Sequence, residues 1–139
     1  MAKARYRQTF SDRVAEYVDS SLMFQRLKTG ATVCCTVRGR YGIYKVSARR
    51  KANGKFKNPR CTCPSDEIPC KHAVALAETF LEKPKSFYDA DKIVAAKLGD
   101  KSSKELLGLI RKMIAVAPAS LQALGVDGFE EVNLEKYYG

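Results

Sequence analysis

The sequence predicts an α+β fold, with an antiparallel β-meander in the first half and a small group of helices in the second. Residues 31–37 are rich in β-forming side chains that alternate between two faces, and glycines follow at strand-length intervals. Residues 102–117 instead repeat their apolar side chains at helical spacing, after a capping box formed by Ser102 and Glu105. A compact group of cysteines and one histidine lies between the two halves.

One short helix and four strands are predicted before residue 64. Ser11 can cap the helix, and Asp12 would lie near the positive end of its dipole. Asn53-Gly54 is a strong hairpin signal, because both residues tolerate a positive φ. The predicted elements are a helix over 12–18 and strands over 22–28, 31–37, 41–49 and 55–63, with Val33, Cys35 and Val37 on one face.

Four residues have the types and the spacing of metal ligands, in the pattern C-x-C-x6-C-x-H: Cys61, Cys63, Cys70 and His72. Residues two apart in a strand point to the same face, so Cys61 and Cys63 can present their sulfurs together. A proline ends this strand, and another proline precedes a helix predicted over 70–81. Cys70 and His72 are therefore expected at a helix start that faces the end of the strand.

Three thiolates and an imidazole suit tetrahedral zinc with no open position, which indicates one structural zinc ion. The predicted fold is therefore a meander that leads into a zinc knuckle. His72 is the only histidine, and hence the only ready general base near neutral pH. If zinc binds it, most hydrolytic chemistry is excluded.

A disulfide framework and a redox dithiol both fit these cysteines less well than zinc does. Disulfides require a secreted context, and the first residues lead into no apolar run of the signal-peptide type. A redox dithiol would leave the Cys-x-His pair unexplained. Cys34 and Cys35 are adjacent, so in a strand they point to opposite faces, and Cys35 is expected to be a small core residue.

The ligand pattern, followed by Ala75 three residues after the histidine, resembles the SWIM zinc finger. The resemblance covers about fifteen residues directly, and the basic strands before them are similar to those of small SWIM proteins. It implies a ββα zinc module of a kind found in Snf-type ATPases, Mutator-type transposases and stand-alone archaeal and bacterial proteins. It also implies binding to DNA or to proteins, and for some members pairing with a recombinase paralogue in homologous recombination.

Positive charge is concentrated in the first part of the chain. Residues 1–60 hold fifteen Lys and Arg against three Asp and Glu, a net charge of +12, whereas residues 61–139 have a net charge of −2. Such asymmetry indicates a half that faces nucleic acid and a half that does not. The alternative is a basic surface that is simply solvated.

A basic β-hairpin around Asn53-Gly54 is the predicted nucleic-acid surface, since a basic ribbon can follow a phosphate backbone. Tyr41, Tyr44 and Phe56 accompany it and could stack on unpaired bases, although packing on the core is the favoured interpretation. DNA is the expected ligand, and RNA remains open. The candidate contacts are Arg40, Lys45, Arg49, Arg50, Lys51, Lys55, Lys57, Arg60 and Lys71.

The organisation predicted along the chain is a basic arm over 1–10, a β and zinc region over 11–83, a helical region over 84–125 and an acidic, aromatic tail over 126–139. Asp89 is expected to cap a helix that ends at Leu98. An apolar stripe on the helix that follows Ser102 is expected in the core, with a face for a protein partner as the alternative. The stripe comprises Leu106, Ile110, Met113 and Ala117, widened by Leu107, Leu109 and Ile114.

A non-enzymatic DNA-binding protein of recombination or repair is the function expected from these observations. The alternative is an adaptor, for example to a recombinase paralogue, that binds through the helical half and the tail. No P-loop pattern, carboxylate cluster or spare histidine supports an enzyme or a small-molecule substrate. No apolar stretch reaches the roughly 20 residues that span a bilayer. An intracellular protein is expected, in the cytoplasm or, in a eukaryote, the nucleus.

Overall fold

The computed structural model describes residues 8–129, which form a five-stranded sheet with one long helix packed across it. Residues 1–7 of the predicted arm (1–10) and residues 130–139 of the predicted tail (126–139) lie outside the described residues. The strands are β1 Met23–Thr29, β2 Thr32–Arg38, β3 Ile43–Arg50, β4 Phe56–Cys61 and β5 Tyr88–Asp89. The α-helices are α1 Phe10–Ala15, α2 Lys71–Glu82, α3 Ala90–Leu98 and α4 Ser103–Val116, with 3₁₀ helices at Pro84–Ser86 and Pro118–Leu124.

The predicted meander is confirmed, and the sheet order is β4-β3-β2-β1-β5. Strands β1 to β4 pair antiparallel with their sequence neighbours. Strand β5 pairs parallel with β1, joining Leu27 to Tyr88, and no sequence signal predicted it. The hairpin at Asn53-Gly54 is present, but only Gly54 adopts a positive φ, of 82°.

The first helix begins earlier than predicted. Thr9, not Ser11, is its N-cap, and Thr9 and Asp12 form a capping box in which each side chain accepts the other's backbone N–H. The prediction of Ser11 was wrong because both residues are good caps, and the T-x-x-D spacing from Thr9 to Asp12 satisfies two N–H groups rather than one. The predicted caps Asp89 and Ser102 are confirmed.

The core lies between α2 and one face of the sheet, called the inner face below. Side chains alternate along the strands, so Val33, Cys35 and Val37 of β2 are buried on that face, as predicted. Leu76 of α2 is completely buried against them. Burial raises the pKa of the Cys35 thiol to about 12, as expected of a small core residue. The opposite, outer face of the sheet is not covered by α2.

Strand β4 is an edge strand, and two of its residues interrupt its regularity. Asn58 has a φ of 50°, and the pairing register between β3 and β4 shifts between Ser47 and Arg49 of β3. Pro59 follows directly and has no backbone N–H. Both features are typical of an edge strand.

The prediction that the apolar stripe of α4 is part of the core was wrong. No described residue of α3 or α4 is buried, and Met113 and Val116 are 64% and 87% exposed. Helical periodicity shows that one face of a helix is apolar but not what covers that face, and α2 already fills the inner face of the sheet. Among residues 8–129, no helix is both long and apolar enough to cross a bilayer.

Candidate metal centre

The four predicted zinc ligands come together where β4 ends and α2 begins. Cys61 is the last residue of β4 and pairs with Val46 of β3, and Cys63 follows in the loop. Cys70 is the N-cap residue of α2, and His72 is the second residue of that helix. The loop between the two ligand pairs contains a cis peptide bond at Ile68-Pro69.

The donor atoms of these residues all lie within 4.8 Å of one another. His72 Nδ1 is 3.6 Å from Cys61 Sγ and 3.9 Å from Cys70 Sγ. Zinc bonds of about 2.3 Å to sulfur and about 2.0 Å to nitrogen give a tetrahedron whose sulfur–nitrogen edges are roughly 3.6 Å. The separations therefore fit one tetrahedral zinc ion.

Burial and electrostatics also favour a cation at this position. Hydrogen bonds from the Cys61 and Cys63 side chains lower the pKa of Cys70, and the Ala73 backbone N–H at the start of α2 contributes in the same direction. Hydrogen bonds with Cys63 and Cys70, together with burial, raise the pKa of Cys61. Three sulfurs this close cannot all ionise without a compensating charge, and a dication supplies that charge.

The His72 ring is held between two tyrosines that the sequence did not connect with the site. The Tyr17 ring meets it edge-on at a centroid distance of 4.8 Å, and the Tyr44 ring lies 5.3 Å away on a tilted plane. Within the described part of the chain, His72 Nε2 is buried and has no hydrogen-bond partner. Nδ1 is therefore the ring nitrogen that faces the cysteine sulfurs.

Gly39 allows the Tyr44 ring to pack against His72. The sequence indicated only that Gly39 marks a turn. A Cβ atom at Gly39 would lie 2.3 Å from Cε2 of Tyr44 and 3.4 Å from His72 Nε2. Any other residue would therefore displace the Tyr44 ring from His72. Glycine in the turn before β3 was visible in the sequence, but its contact with the ring was not.

The predicted nucleic-acid contacts do not form one ribbon, because the sheet divides them between its two faces. Lys45 and Arg49 alternate with the buried residues of β3, so they project from the outer face. Lys57 pairs with Arg49, and Arg60 pairs with Ser47, so both lie on the same face. We call Lys45, Arg49, Lys57 and Arg60 the outer-face cluster.

The remaining candidates lie elsewhere. The Arg50 guanidinium packs over the Phe80 ring on the inner face, 4.8 Å from the ring centre. The Lys71 ammonium lies 5.9 Å from the centre of the Tyr17 ring, beside the metal centre. Lys51 and Lys55 are in the hairpin turn, where their backbones hydrogen-bond to each other. Arg40 is exposed in the turn between β2 and β3.

The aromatic residues near the hairpin also separate. The expectation that they pack on the core is confirmed for Tyr44, which is buried, and for Phe56, which packs edge-on against Phe80. It is wrong for Tyr41, which is 68% exposed. Tyr41 lies in the turn before β3 begins, and there strand alternation does not direct it to the core.

Comparison with known proteins agrees with this geometry. Residues 46–80 match the family model described as the SWIM zinc finger. The match begins in β3 and ends in α2, so it contains all four ligands. No curated protein and no solved structure matches the chain. The structure and the family model together show a Cys3His zinc finger that fits one structural zinc ion.

Proposed function

We propose that this chain, which carries a SWIM zinc finger at residues 46–80, is a non-enzymatic protein that binds nucleic acid through the outer face of its sheet. The observation that carries the proposal is the outer-face cluster. It places four cations on β3 and β4, and Arg49 stands directly opposite Lys57. Like charges in that position destabilise a sheet, unless a polyanion neutralises them.

The surroundings of the cluster support the same ligand. Among the described residues, Arg49, Lys57 and Arg60 form no ion pair with a carboxylate. The other strand positions on the outer face carry hydroxyl, thiol, amide and apolar side chains and one further cation, Arg38, and none of the described ones is acidic. A phosphate backbone would therefore meet no like charge from these strand positions, and the Asp91 carboxylate, which binds Thr29, lies at the far end of the row that contains Arg49 and Lys57.

The zinc finger acts in this proposal as a structural support. Zinc would join the end of β4 to the start of α2, and so hold the strand that carries Lys57 and Arg60 against the core. With all four coordination positions occupied by protein, the ion has no vacancy for substrate or activated water. The resemblance to SWIM proteins further supports a place in DNA recombination or repair, inside the cell.

A salt titration tests the proposal. Affinity for a nucleic acid should fall steeply with salt, because each neutralised phosphate contributes a log–log slope of about −0.9 on duplex DNA and about −0.7 on single strands. Replacing Arg49 and Lys57 with alanine should make that slope shallower by about 1.4 to 1.8. The control replaces Lys104 and Lys112, two exposed lysines of α4, and removes the same charge. Equal effects of the two double variants would contradict a specific surface.

A second function, a protein adaptor, is favoured by one observation. The helices after α2 expose apolar side chains on α3, α4 and the last 3₁₀ helix, among them Ile93, Leu107, Ile110, Met113 and Leu124. Exposed apolar groups on neighbouring elements are typical of protein interfaces. The resemblance to SWIM proteins points to a recombinase paralogue as the partner.

Co-purification with recombinase paralogues from the same genome tests the adaptor. Replacing Ile110 and Met113 with aspartate should abolish capture without changing the zinc content. The matched control replaces Ala115, which is also exposed on α4, with aspartate. Capture that survives the double variant, or that the control removes equally, would count against this interface.

A further inference from the structure

A groove of about 1120 Å³ lies on the outer face of the sheet. Strands β1 to β4 form its floor, with Cys34, Lys45 and Ser47 among the lining residues. Its walls come from a later part of the chain, through Tyr88, Ile93, Ala117, Ala119, Ser120 and Gln122. Helix α3 and the last 3₁₀ helix, which contribute no buried residue to the core, therefore form the side of a cleft.

The chemistry of the lining selects the kind of ligand. Among the described residues that line the groove, none is acidic, while Lys45 and Arg60 of the outer-face cluster are both part of it. Arg49 and Lys57 continue the same positive face beyond the groove, one pair further along the two strands. The charge of the groove and of its approach is thus complementary to a polyanion.

Hydrogen-bonding groups lie on both the floor and the wall. Ser47 stands at the centre of the floor, opposite Cys34 on β2 and Arg60 on β4. The side-chain oxygen of Gln25 accepts a hydrogen bond from the Thr36 hydroxyl, so the side-chain NH₂ of Gln25 remains available to a ligand. Gln122 extends from the wall. Amide and hydroxyl groups of this kind bind base edges that are not engaged in base pairs.

Flat and apolar groups occupy the edge of the groove. Tyr88 is 69% exposed although it belongs to β5, and its ring borders the cleft. Leu27 and Ile93 lie beside it in the lining. Aromatic and apolar surfaces stack on unpaired bases with little regard to sequence.

We propose that this groove holds a single nucleic-acid strand, with phosphates along the outer-face cluster and bases directed into the cleft. The inference rests on the proposed function and specifies its ligand. This volume is slightly above the range of about 300 to 1,000 Å³ that is typical of small-molecule pockets, so the groove admits a few nucleotides of one strand. A duplex keeps its bases stacked inside and would meet only the rim, so the groups on the floor would not reach it.

Binding of full-length, zinc-loaded protein to three probes tests this inference. The probes are an oligothymidylate and an oligouridylate of about fifteen nucleotides, a length within the site sizes of single-strand binders, and a duplex of the same length. Both single strands should bind at least about tenfold more tightly than the duplex. Comparing the two single strands distinguishes a DNA ligand from an RNA ligand.

Two substitutions place a negative charge in the groove. Ser47→Asp should weaken single-strand binding by about fivefold or more, as expected for one charge a few ångströms from phosphate. The matched control is Ser103→Asp, the same chemical change at an exposed position in the first turn of α4, where acids are favourable. If Ser47→Asp does not fold, Gln122→Glu replaces it. This change is nearly isosteric, and it should also weaken single-strand binding.

Cys34 provides a direct probe of occupancy. Three cysteines line the groove: Cys34 is half-buried there, Cys35 directs its side chain to the inner face, and Cys61 belongs to the metal centre with Cys63 and Cys70. Burial raises the pKa of Cys34, so its alkylation is followed at alkaline pH by mass spectrometry. An oligonucleotide at about ten times its Kd should slow that alkylation about tenfold.

The outcomes separate this inference from the proposed function. Tight duplex binding without protection of Cys34 would overturn the groove and leave the nucleic-acid function intact. Absence of binding to all three probes would overturn both. Single-strand preference, loss on Ser47→Asp and protection of Cys34 together would establish the strand in the groove.

Discussion

Arg49 and Lys57 stand directly opposite each other on β3 and β4, and both project from the face of the sheet that α2 leaves uncovered. Like charges in this position repel each other, so the free protein accepts a small energetic cost. Lys57→Glu replaces the repulsion with an attractive cross-strand pair. We expect the variant to unfold with a free energy higher by about 0.5 kcal/mol, while its affinity for nucleic acid falls.

Chemical denaturation and a binding titration measure these two effects on the same sample. The matched control is Lys112→Glu on α4, an exposed position outside the sheet, which changes the net charge equally. If Lys57→Glu lowered stability or left binding unchanged, the cluster would not be a surface selected for an anion.

Metal removal should loosen one part of the molecule first. Folding and zinc binding are coupled wherever the metal joins separate elements, and here it joins β4 to α2. Chelation or Cys70→Ser should therefore raise hydrogen exchange over residues 55–80 before it does so in α3 and α4. Cys34→Ser is the control, since it makes the same change outside the metal centre. If neither chelation nor Cys70→Ser changed the melting temperature, the zinc ion would not have a structural role.

A single methyl group at Gly39 should disturb the metal centre. The added Cβ would lie 2.3 Å from the Tyr44 ring, which packs against His72. Gly39→Ala should therefore lower both the melting temperature and the affinity for zinc. Gly108→Ala makes the same change inside α4, where a Cβ meets nothing within 4 Å. That control should stabilise the protein by up to about 1 kcal/mol, because alanine is the better helix former.

The link between α3 and the β1–β2 turn should depend on pH. The Asp91 carboxylate accepts hydrogen bonds from the Gly30 N–H at 2.9 Å and from the Thr29 hydroxyl at 2.8 Å. These two bonds, that from Gly30 first, hold the pKa of Asp91 below its usual value. A carboxyl with a lowered folded-state pKa stabilises the protein above its unfolded-state pKa, and this contribution is lost as the pH falls through the folded-state pKa.

Amide exchange at Gly30, followed by NMR over a pH series, measures this link. Protection of the Gly30 N–H should decrease as Asp91 is protonated. Asp91→Asn keeps an acceptor oxygen without the titration, so its protection, corrected for intrinsic exchange, should not change with acid. A Gly30 amide with the same acid response in both proteins would assign the effect to another group.

The apolar face of α4 should contribute little to stability. Ile110 and Met113 are 44% and 64% exposed, so replacing both with glutamine should change the free energy of unfolding by less than about 1 kcal/mol. Leu76→Ala, which empties the centre of the core, should cost about 3 kcal/mol. If the double variant lost as much stability as Leu76→Ala, the apolar face of α4 would be part of the core.

Local signals allowed most elements and the metal ligands to be predicted. Alternation located β2, glycine-marked turns located β3, the spacing of Ser102 and Glu105 located the start of α4, and the ligand pattern identified four donors between residues 61 and 72. Each of these depends on residues that are close in sequence or on a metal that constrains them.

Features that depend on residues far apart in sequence were not predictable. Strand β5 has two residues, and it exists because the chain after α2 returns beside β1. Tyr17 reaches His72 across more than fifty residues. The sequence alone could have shown that Arg49 and Arg50 project from opposite faces of β3, because adjacent residues of a strand point in opposite directions. To predict the outer-face cluster, one would have to know the register of β4 against β3, and Asn58 changes that register locally.

The irregular edge of β4 limits how other molecules can attach to the sheet. A regular edge strand offers a row of N–H and C=O groups to which a strand from another chain can add. Pro59 removes one donor from that row, and Asn58 turns the backbone at the neighbouring position. A further strand therefore finds no continuous ladder along β4, and this irregularity hinders edge-to-edge association of copies of the protein through that strand.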